Sequence, residues 1–194
     1  MLFNSYAFLF TFLPAVLVVF FTLGRRNHRW ASAWLAAASV FFYGWWNPAY
    51  VGLLLASILF NYSVGYSLAR ASGKPAQPGR KLLLACGIAG NLTLLGYFKY
   101  ANFFVSNLDL LVGADYALAQ IILPLGISFF TFTQIAFLVD AYQGKAREYN
   151  FIHYCLFVTY FPHLIAGPVL HHKEMMPQFA HPGTYRLRGE NIAA

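Results

Sequence analysis

Long apolar runs alternate with short polar breaks along this chain, and the runs have the length a bilayer demands. A helix rises about 1.5 Å per residue, so roughly 20 apolar residues cross a hydrocarbon layer about 30 Å thick. Six runs meet or approach that length, over residues 3–23, 30–46, 49–69, 81–98, 121–142 and 151–168. The pattern predicts an all-α, polytopic transmembrane helix bundle, with residues 1–194 forming part of a single membrane domain.

Local signals refine the runs. Asn4 or Ser5 can cap the first helix, and Pro14 predicts a kink near its middle. The second run ends in Phe41, Phe42, Tyr43, Trp45 and Trp46, rings that favour the headgroup interface, before Asn47-Pro48 turns the chain. In the third, Ser57, Asn61, Gly65 and Ala69 recur at four-residue steps, so small and polar side chains share one face, which should pack on another helix. Asn61 reads as an interhelical hydrogen bonder, with substrate contact as the sharper alternative. The fourth run offers Ala85, Ala89 and Thr93 as a small face, and its helical character extends toward Leu111. That length predicts a break or a strong tilt. Lys99 is expected to snorkel to the outer interface. Pro124 and Gly126 loosen the outer end of the fifth run, and Asp140 at its other end is expected to pair with Lys145 or Arg147.

The sixth run is interrupted. Phe161 to His172 reads FPHLIAGPVLHH, an apolar stretch broken by two prolines. Pro162 and Pro168 lack backbone donors and disfavour helix in the residues before them, so the carbonyls they strand need partners. At membrane depth such backbone is tolerated only inside protein or along a cavity. The segment is therefore the first candidate for the wall of a functional site, crossing the bilayer or re-entering, with His163, Gly167 and Pro168 as candidate substrate-binding residues. Gly167 permits close backbone approach.

Composition strengthens the membrane reading, since 59% of residues are hydrophobic and only 10% charged, where soluble domains carry about a quarter charged residues. The formal net charge of +7 does not describe a nucleic-acid face. Its basic residues fall in short clusters: Arg25, Arg26 and Arg29; then Arg70, Lys74, Arg80 and Lys81; then Lys145 and Arg147. Two spans separate each cluster from the next, so all three lie on one side, which the positive-inside rule makes cytoplasmic. The N-terminus is then outside, and no Lys or Arg precedes the first run as a cleaved signal peptide requires. Cys86 and Cys155 sit inside apolar runs, where buried small residues are expected rather than a disulfide.

The chain has no GxSxG, HExxH, P-loop or CxxC signature. His163, His171 and His172 lie on irregular sequence without a carboxylate at ligand spacing, so no metal site is expected. His163 has the chemistry of a general base for a hydroxyl, but a hydrogen-bonded structural role is the simpler reading. His28, His153 and His181 read as interface or loop residues.

Several blocks resemble one family: MLFNSYAFLFTFLP at the start, FFYGWWNPAY at Phe41 to Tyr50, SILFNY at Ser57 to Tyr62, LPLGISFFTFTQIAFLVDAY at Leu123 to Tyr142 and FPHLIAGPV at Phe161 to Val169. In this order they are similar to the bacterial membrane-bound O-acyltransferases, specifically the alginate O-acetylase branch. The resemblance implies an N-terminal part of a longer multi-pass enzyme of the bacterial inner membrane. That enzyme would move acetyl groups from a cytoplasmic donor, acetyl-CoA or another acyl carrier, to hydroxyls of an alginate-like extracytoplasmic polysaccharide. It further implies contact with membrane lipid, an extracytoplasmic acetyl-transfer partner protein, no bound cofactor and no nucleic acid. The family's catalytic histidine is expected beyond Ala194, so no catalytic residue is assigned here. The family commonly has Gln where this chain has His163, and Arg near His171 and His172. Broken helices also occur in transporters, and the rival readings are a transporter fragment or a structural membrane subunit.

Overall fold

The computed structural model describes residues 4–70, 78–112, 121–146, 150–162, 175–176, 178–179 and 181–185, and these are mostly helical, with no strand among them. The described residues include α1 Leu13–Arg26, α2 His28–Trp46, α3 Ala49–Arg70, α4 Pro78–Val112, α5 Ile127–Tyr142 and α6 Phe151–Thr159. Among the described residues, α3 and the Gly79–Val105 part of α4 are long and apolar enough to cross a membrane, while Phe8–Gly24 and α5 are shorter apolar helices.

Helix boundaries arise from local chemistry. Ser5 Oγ accepts from the Phe8 amide at 3.2 Å. A π-helical turn over Phe8–Phe12 then leads into α1, where Pro14 stands in the first turn. The Leu13 amide bonds the Phe8 carbonyl five residues back, so the wider turn accommodates the proline at the place where the sequence predicts a kink. Asn27, Asn47 and Asn150 are extended, and each caps the helix after it: their side chains accept from the amides of Arg29, Ala49 and Ile152 at 2.9, 3.0 and 3.0 Å. One residue therefore joins α1 to α2, which forces an antiparallel hairpin. α5 starts at Ile127 rather than near 121, because Gly126 at its N-cap takes a left-handed φ of 68°. The residues before that cap are held from outside the helix, with Asn102 bonding both the amide and the carbonyl of Ile121, and Tyr50 Oη donating to Ile122 O at 2.6 Å.

The core of the bundle is where α5 lies against α3 and α4. A Cβ on Gly65 would overlap the Phe137 ring, and one on Gly87 would sit 2.8 Å from Leu138 Cδ1. Glycine here is what lets bulky α5 side chains reach the neighbouring backbones. The polar members of the same α3 face bind in the same place: Gln134 donates to Ser57 Oγ at 2.9 Å, and Asn61 pairs with Asn91. Arg80 of α4 donates to the Tyr142 carbonyl at 2.8 Å with its guanidinium over that ring. A cation in the first turn of α4 opposes that helix's own dipole, but here it meets the negative end of α5. These pairings gather Arg25, Arg26, Arg29, Arg70, Arg80, Lys81 and Lys145 at one end of the bundle, the basic end.

One expectation narrows and three change. α4 runs 35 residues without a break, about 50 Å of helix, so it must tilt or project beyond the hydrocarbon. Its packed positions are Gly87, Asn91 and Leu95, whereas Ala85, Ala89 and Thr93 face outward. Cys86 is exposed rather than buried, and Cys155 is half-buried; both are free thiols. Among the described residues the Asp140 carboxylate makes no ion pair with Lys145; the α5 end is closed instead by the Lys145 and Ala146 amides on the Asp140 carbonyl, at 2.8 and 3.1 Å. Arg147 lies outside the described residues.

Replacing Gly65 by leucine should destabilise the bundle by about 1–3 kcal/mol, since overpacking displaces Phe137. Gly52→Ala, with open space around it, should be neutral or slightly stabilising. Thermal unfolding of both variants in one detergent checks the contrast.

Candidate functional site

α6 starts about 12 Å inside the basic end, eight residues before Arg70 along α3, where Phe151 meets Tyr62 ring to edge with centroids 5.1 Å apart. Nine residues of helix advance it only about 14 Å, less than half of a hydrocarbon layer. The Tyr160 amide closes its final turn by donating to Leu156 O at 2.9 Å. Phe161 comes next and is buried among Phe8, Phe12 and Phe42, with centroid separations of 5.9, 5.5 and 5.4 Å. Those rings stand at the end of the α1–α2 pair opposite the basic end. They enclose the interruption at Tyr160, after which Phe161 and Pro162 are helical again, as an apolar environment requires of broken backbone.

Tyr185 stands back at the basic end. It belongs to the Pro182–Tyr185 turn and is buried against α1 and α2. Its hydroxyl donates to Phe179 O at 2.6 Å, which leaves its oxygen to accept from Ser32 Oγ at 2.7 Å. Its ring stacks on His28 with centroids 4.4 Å apart and planes 9° from parallel. Burial pushes the Tyr185 hydroxyl above the usual tyrosine range, and the Ser32 bond offsets part of that. Gly24 permits the docking, because a Cβ there would stand 3.0 Å from both Tyr185 Cβ and Tyr185 O.

Between the broken end of α6, the middle of α1 and this returning segment lies a cavity of about 260 Å³. Leu13, Val16, Leu17 and Phe20 of α1 and Leu35 of α2 form its apolar wall. Tyr160, Phe161 and Pro162 form the second side, and Met175, Gln178, Phe179 and Thr184 the third. The arrangement can hold a small, largely apolar group beside a few hydrogen-bonding atoms, and Leu17, Pro162, Gln178 and Thr184 of its lining are exposed.

Phe161 and Pro162 thus line a cavity, while His163, Gly167, Pro168, His171 and His172 lie outside the described residues. His28 is the exposed stacking partner of Tyr185. His181 Nδ1 accepts from the Gly183 amide at 3.0 Å within its own loop, and His153 is half-buried in the first turn of α6. No group of three metal-ligating side chains occurs among the described residues. Lys99 is exposed above the Tyr100 ring at 5.6 Å. Asn61 and Asn91 make a reciprocal amide pair at 3.1 and 2.6 Å, and each also bonds the carbonyl one turn back, so the pair's amide hydrogens are used within the bundle. Sequence reasoning missed Tyr185 and Tyr154; the latter donates to Gln134 Oε1 at 3.3 Å and extends the Ser57–Gln134 network into α6.

Comparison with known proteins finds relatives named for O-acetyl transfer. It is 40% identical to the peptidoglycan O-acetyltransferase of Helicobacter pylori over 222 aligned positions, covering all of this chain and 41% of that protein. It is 39% identical to the probable alginate O-acetylase AlgI of Pseudomonas aeruginosa, over 93% of this chain and 35% of the relative. Identity to the probable alginate O-acetylase AlgI of Azotobacter vinelandii is 38%, over 93% and 36%. The chain therefore spans well under half the length of these curated relatives. No family model matches it, and no solved structure matches it.

If Asn61 and Asn91 serve as interhelical glue, Asn61→Leu alone should destabilise by about 0.5–2 kcal/mol, and Asn61→Leu with Asn91→Leu should cost less than the sum of the singles. A double-mutant cycle on unfolding measures the coupling. Additive losses would show that the two side chains do not depend on each other.

Proposed function

Because the chain belongs to the alginate O-acetylase-like branch of the membrane-bound O-acyltransferases, we propose that it forms the N-terminal scaffold and one cavity wall of an inner-membrane O-acetyltransferase. The observation that carries this reading is the 40% identity to a peptidoglycan O-acetyltransferase along the whole of this chain. Peptidoglycan and alginate share sugar hydroxyls, so the acceptor is a hydroxyl of an extracytoplasmic polysaccharide, alginate-like or otherwise. The donor is acetyl-CoA or another acyl carrier reaching the basic, cytoplasmic end. An extracytoplasmic partner protein is proposed to help pass acetyl groups to the polymer.

Chemically, a sugar hydroxyl oxygen forms the new ester bond while the carrier's bond to the acetyl carbonyl breaks and the hydroxyl proton leaves to a base. A general base must stand within hydrogen-bond reach of that hydroxyl. No imidazole lines the cavity among the described residues, and the catalytic histidine is proposed to come from a further part of a longer polypeptide. What this chain contributes is positioning. Leu13, Val16, Leu17, Phe20, Leu35 and Phe161 give the space an apolar wall, and a re-entrant path over residues 151–185 would bring broken backbone toward the membrane interior. His163, Gly167 and Pro168 belong to that path and are proposed to contact substrate.

The test is acetyl content of the polysaccharide in an acetylation-deficient host supplied with the partner proteins. The longest reading frame containing this chain should restore acetylation, and residues 1–194 alone should not. Gly167→Val in the longer protein should lower acetylation by about tenfold, as misplacement of a cavity wall commonly does. Acetylation by residues 1–194 that disappears on His163→Ala would place the active centre within this chain and overturn the division of labour.

A further inference from the structure

α4 has a second face, which the described bundle leaves exposed. Its packed side runs through Gly87, Asn91 and Leu95, whereas Leu82, Cys86, Ala89, Thr93, Tyr97 and Tyr100, at steps of three and four residues, share one outward side. Of the two described helices long and apolar enough to cross a membrane, α4 is the less buried. Charge avoids the outward side: Arg80 turns inward onto the Tyr142 carbonyl, and Lys81 and Lys99 lie about a third of a turn away. Thr93 is the polar group there. It stands 13 residues beyond Arg80, about 20 Å along the axis and so within a hydrocarbon layer about 30 Å thick. Thr22, Ser63 and Ser67, exposed on α1 and α3, donate to the carbonyl four residues back at 2.6, 2.7 and 2.8 Å. The Thr93 hydroxyl makes no hydrogen bond among the described residues, and lipid tails offer it no acceptor.

From this placement we infer that the outward face of α4 is where a second copy of this chain docks, the two α4 helices lying side by side about a two-fold axis along the membrane normal. Copies in one membrane share one orientation, so the contact is parallel and isologous, and each residue meets its own counterpart at the same depth. A charge on such a face would oppose itself, and Arg80, Lys81 and Lys99 are all placed off it. The two-fold also brings two Thr93 hydroxyls together, where one donates to the other as polar side chains do between membrane helices. Side-chain size follows the same geometry. Cys86, Ala89 and Thr93 allow the axes to approach closely, and the Tyr97 and Tyr100 rings fill the space where crossing helices diverge. Lipid tails would require no such gradation and would leave Thr93 unpaired. A dimer of this kind does not depend on acetyl transfer.

Cys86 lies on this face and tests it directly. With Cys155→Ala in place, mild oxidation of native membranes should link two copies through Cys86, since a disulfide needs Cβ atoms roughly 3.5–4.5 Å apart. With Cys86→Ser added, Ala89→Cys and Thr93→Cys should cross-link on the order of tenfold faster than Leu92→Cys, which is equally open to collision but sits about a quarter turn off the face. Thr93→Val keeps the shape and loses the hydroxyl, and should raise the dimer dissociation constant about threefold, read by energy transfer between labelled copies in bilayers. All these positions are exposed, so helical circular dichroism should be unchanged in every variant. The measurements are made on residues 1–194 and on the longest reading frame containing them. Leu92→Cys reacting as fast as Ala89→Cys would reveal chance encounters, and no cross-linking at any position would leave the face to lipid. Cross-linking by residues 1–194 that is absent from the longer protein would show a further segment of the same polypeptide covering the face. Each of these results would overturn the dimer.

Discussion

The structure depends on one constraint: inside hydrocarbon, a backbone group released from a helix has no water to bond, so a helix can end there only within a shell of protein. α6 ends after nine residues at Thr159, and Pro162 comes soon after without a donor. Phe161 is packed by Phe8, Phe12 and Phe42 at that place, and the cavity opens beside them. The α1–α2 hairpin is thus more than scaffold. Its one-residue turn fixes two antiparallel helices whose far halves enclose the break and whose near ends receive Tyr185.

Close helix approach is the second requirement. Lipid tails are as apolar as leucine, so burying leucine between helices gains little in a bilayer, and packing with polar pairing must hold the bundle. Gly65 and Gly87 bring α5 down onto α3 and α4, and Ser57, Asn61, Asn91, Gln134 and Tyr154 satisfy one another around that contact. Arg80 on the Tyr142 carbonyl then joins opposite helix-dipole ends at the basic end.

Much of this is legible in the sequence, for physical reasons that differ by element. The four-residue spacing of Ser57, Asn61, Gly65 and Ala69 marks the face of α3 that packs, because a face is a local, periodic property. The same logic fails on α4, where Ala85, Ala89 and Thr93 point outward and Gly87, Asn91 and Leu95 pack; the helix has two small faces, and only neighbours such as Leu138 decide between them. Pro14 signals a disturbance but not its form, since a π-helical turn depends on how the preceding carbonyls are placed. Asp140 looks like an ion-pairing residue from sequence proximity alone, yet the helix end uses its carbonyl. Tyr185 is invisible at that level, because its partner Ser32 lies 153 residues away. For the site, Phe161 and Pro162 are readable from proline chemistry and do line a cavity. His163, Gly167 and Pro168 lie outside the described residues.

The central proposal is that Asn150 and Gly183, on either side of the interruption after α6, lie on the same side of the membrane. Single cysteines at Asn150, Gly183 and Asn47, in intact cells and in inverted vesicles of the same membranes, measure it directly with an impermeant thiol reagent. A re-entrant path predicts that Asn150→Cys and Gly183→Cys react only in the inverted vesicles, and Asn47→Cys only in the cells. Reaction of Asn150→Cys and Gly183→Cys from opposite sides would make the segment a full crossing and contradict the claim.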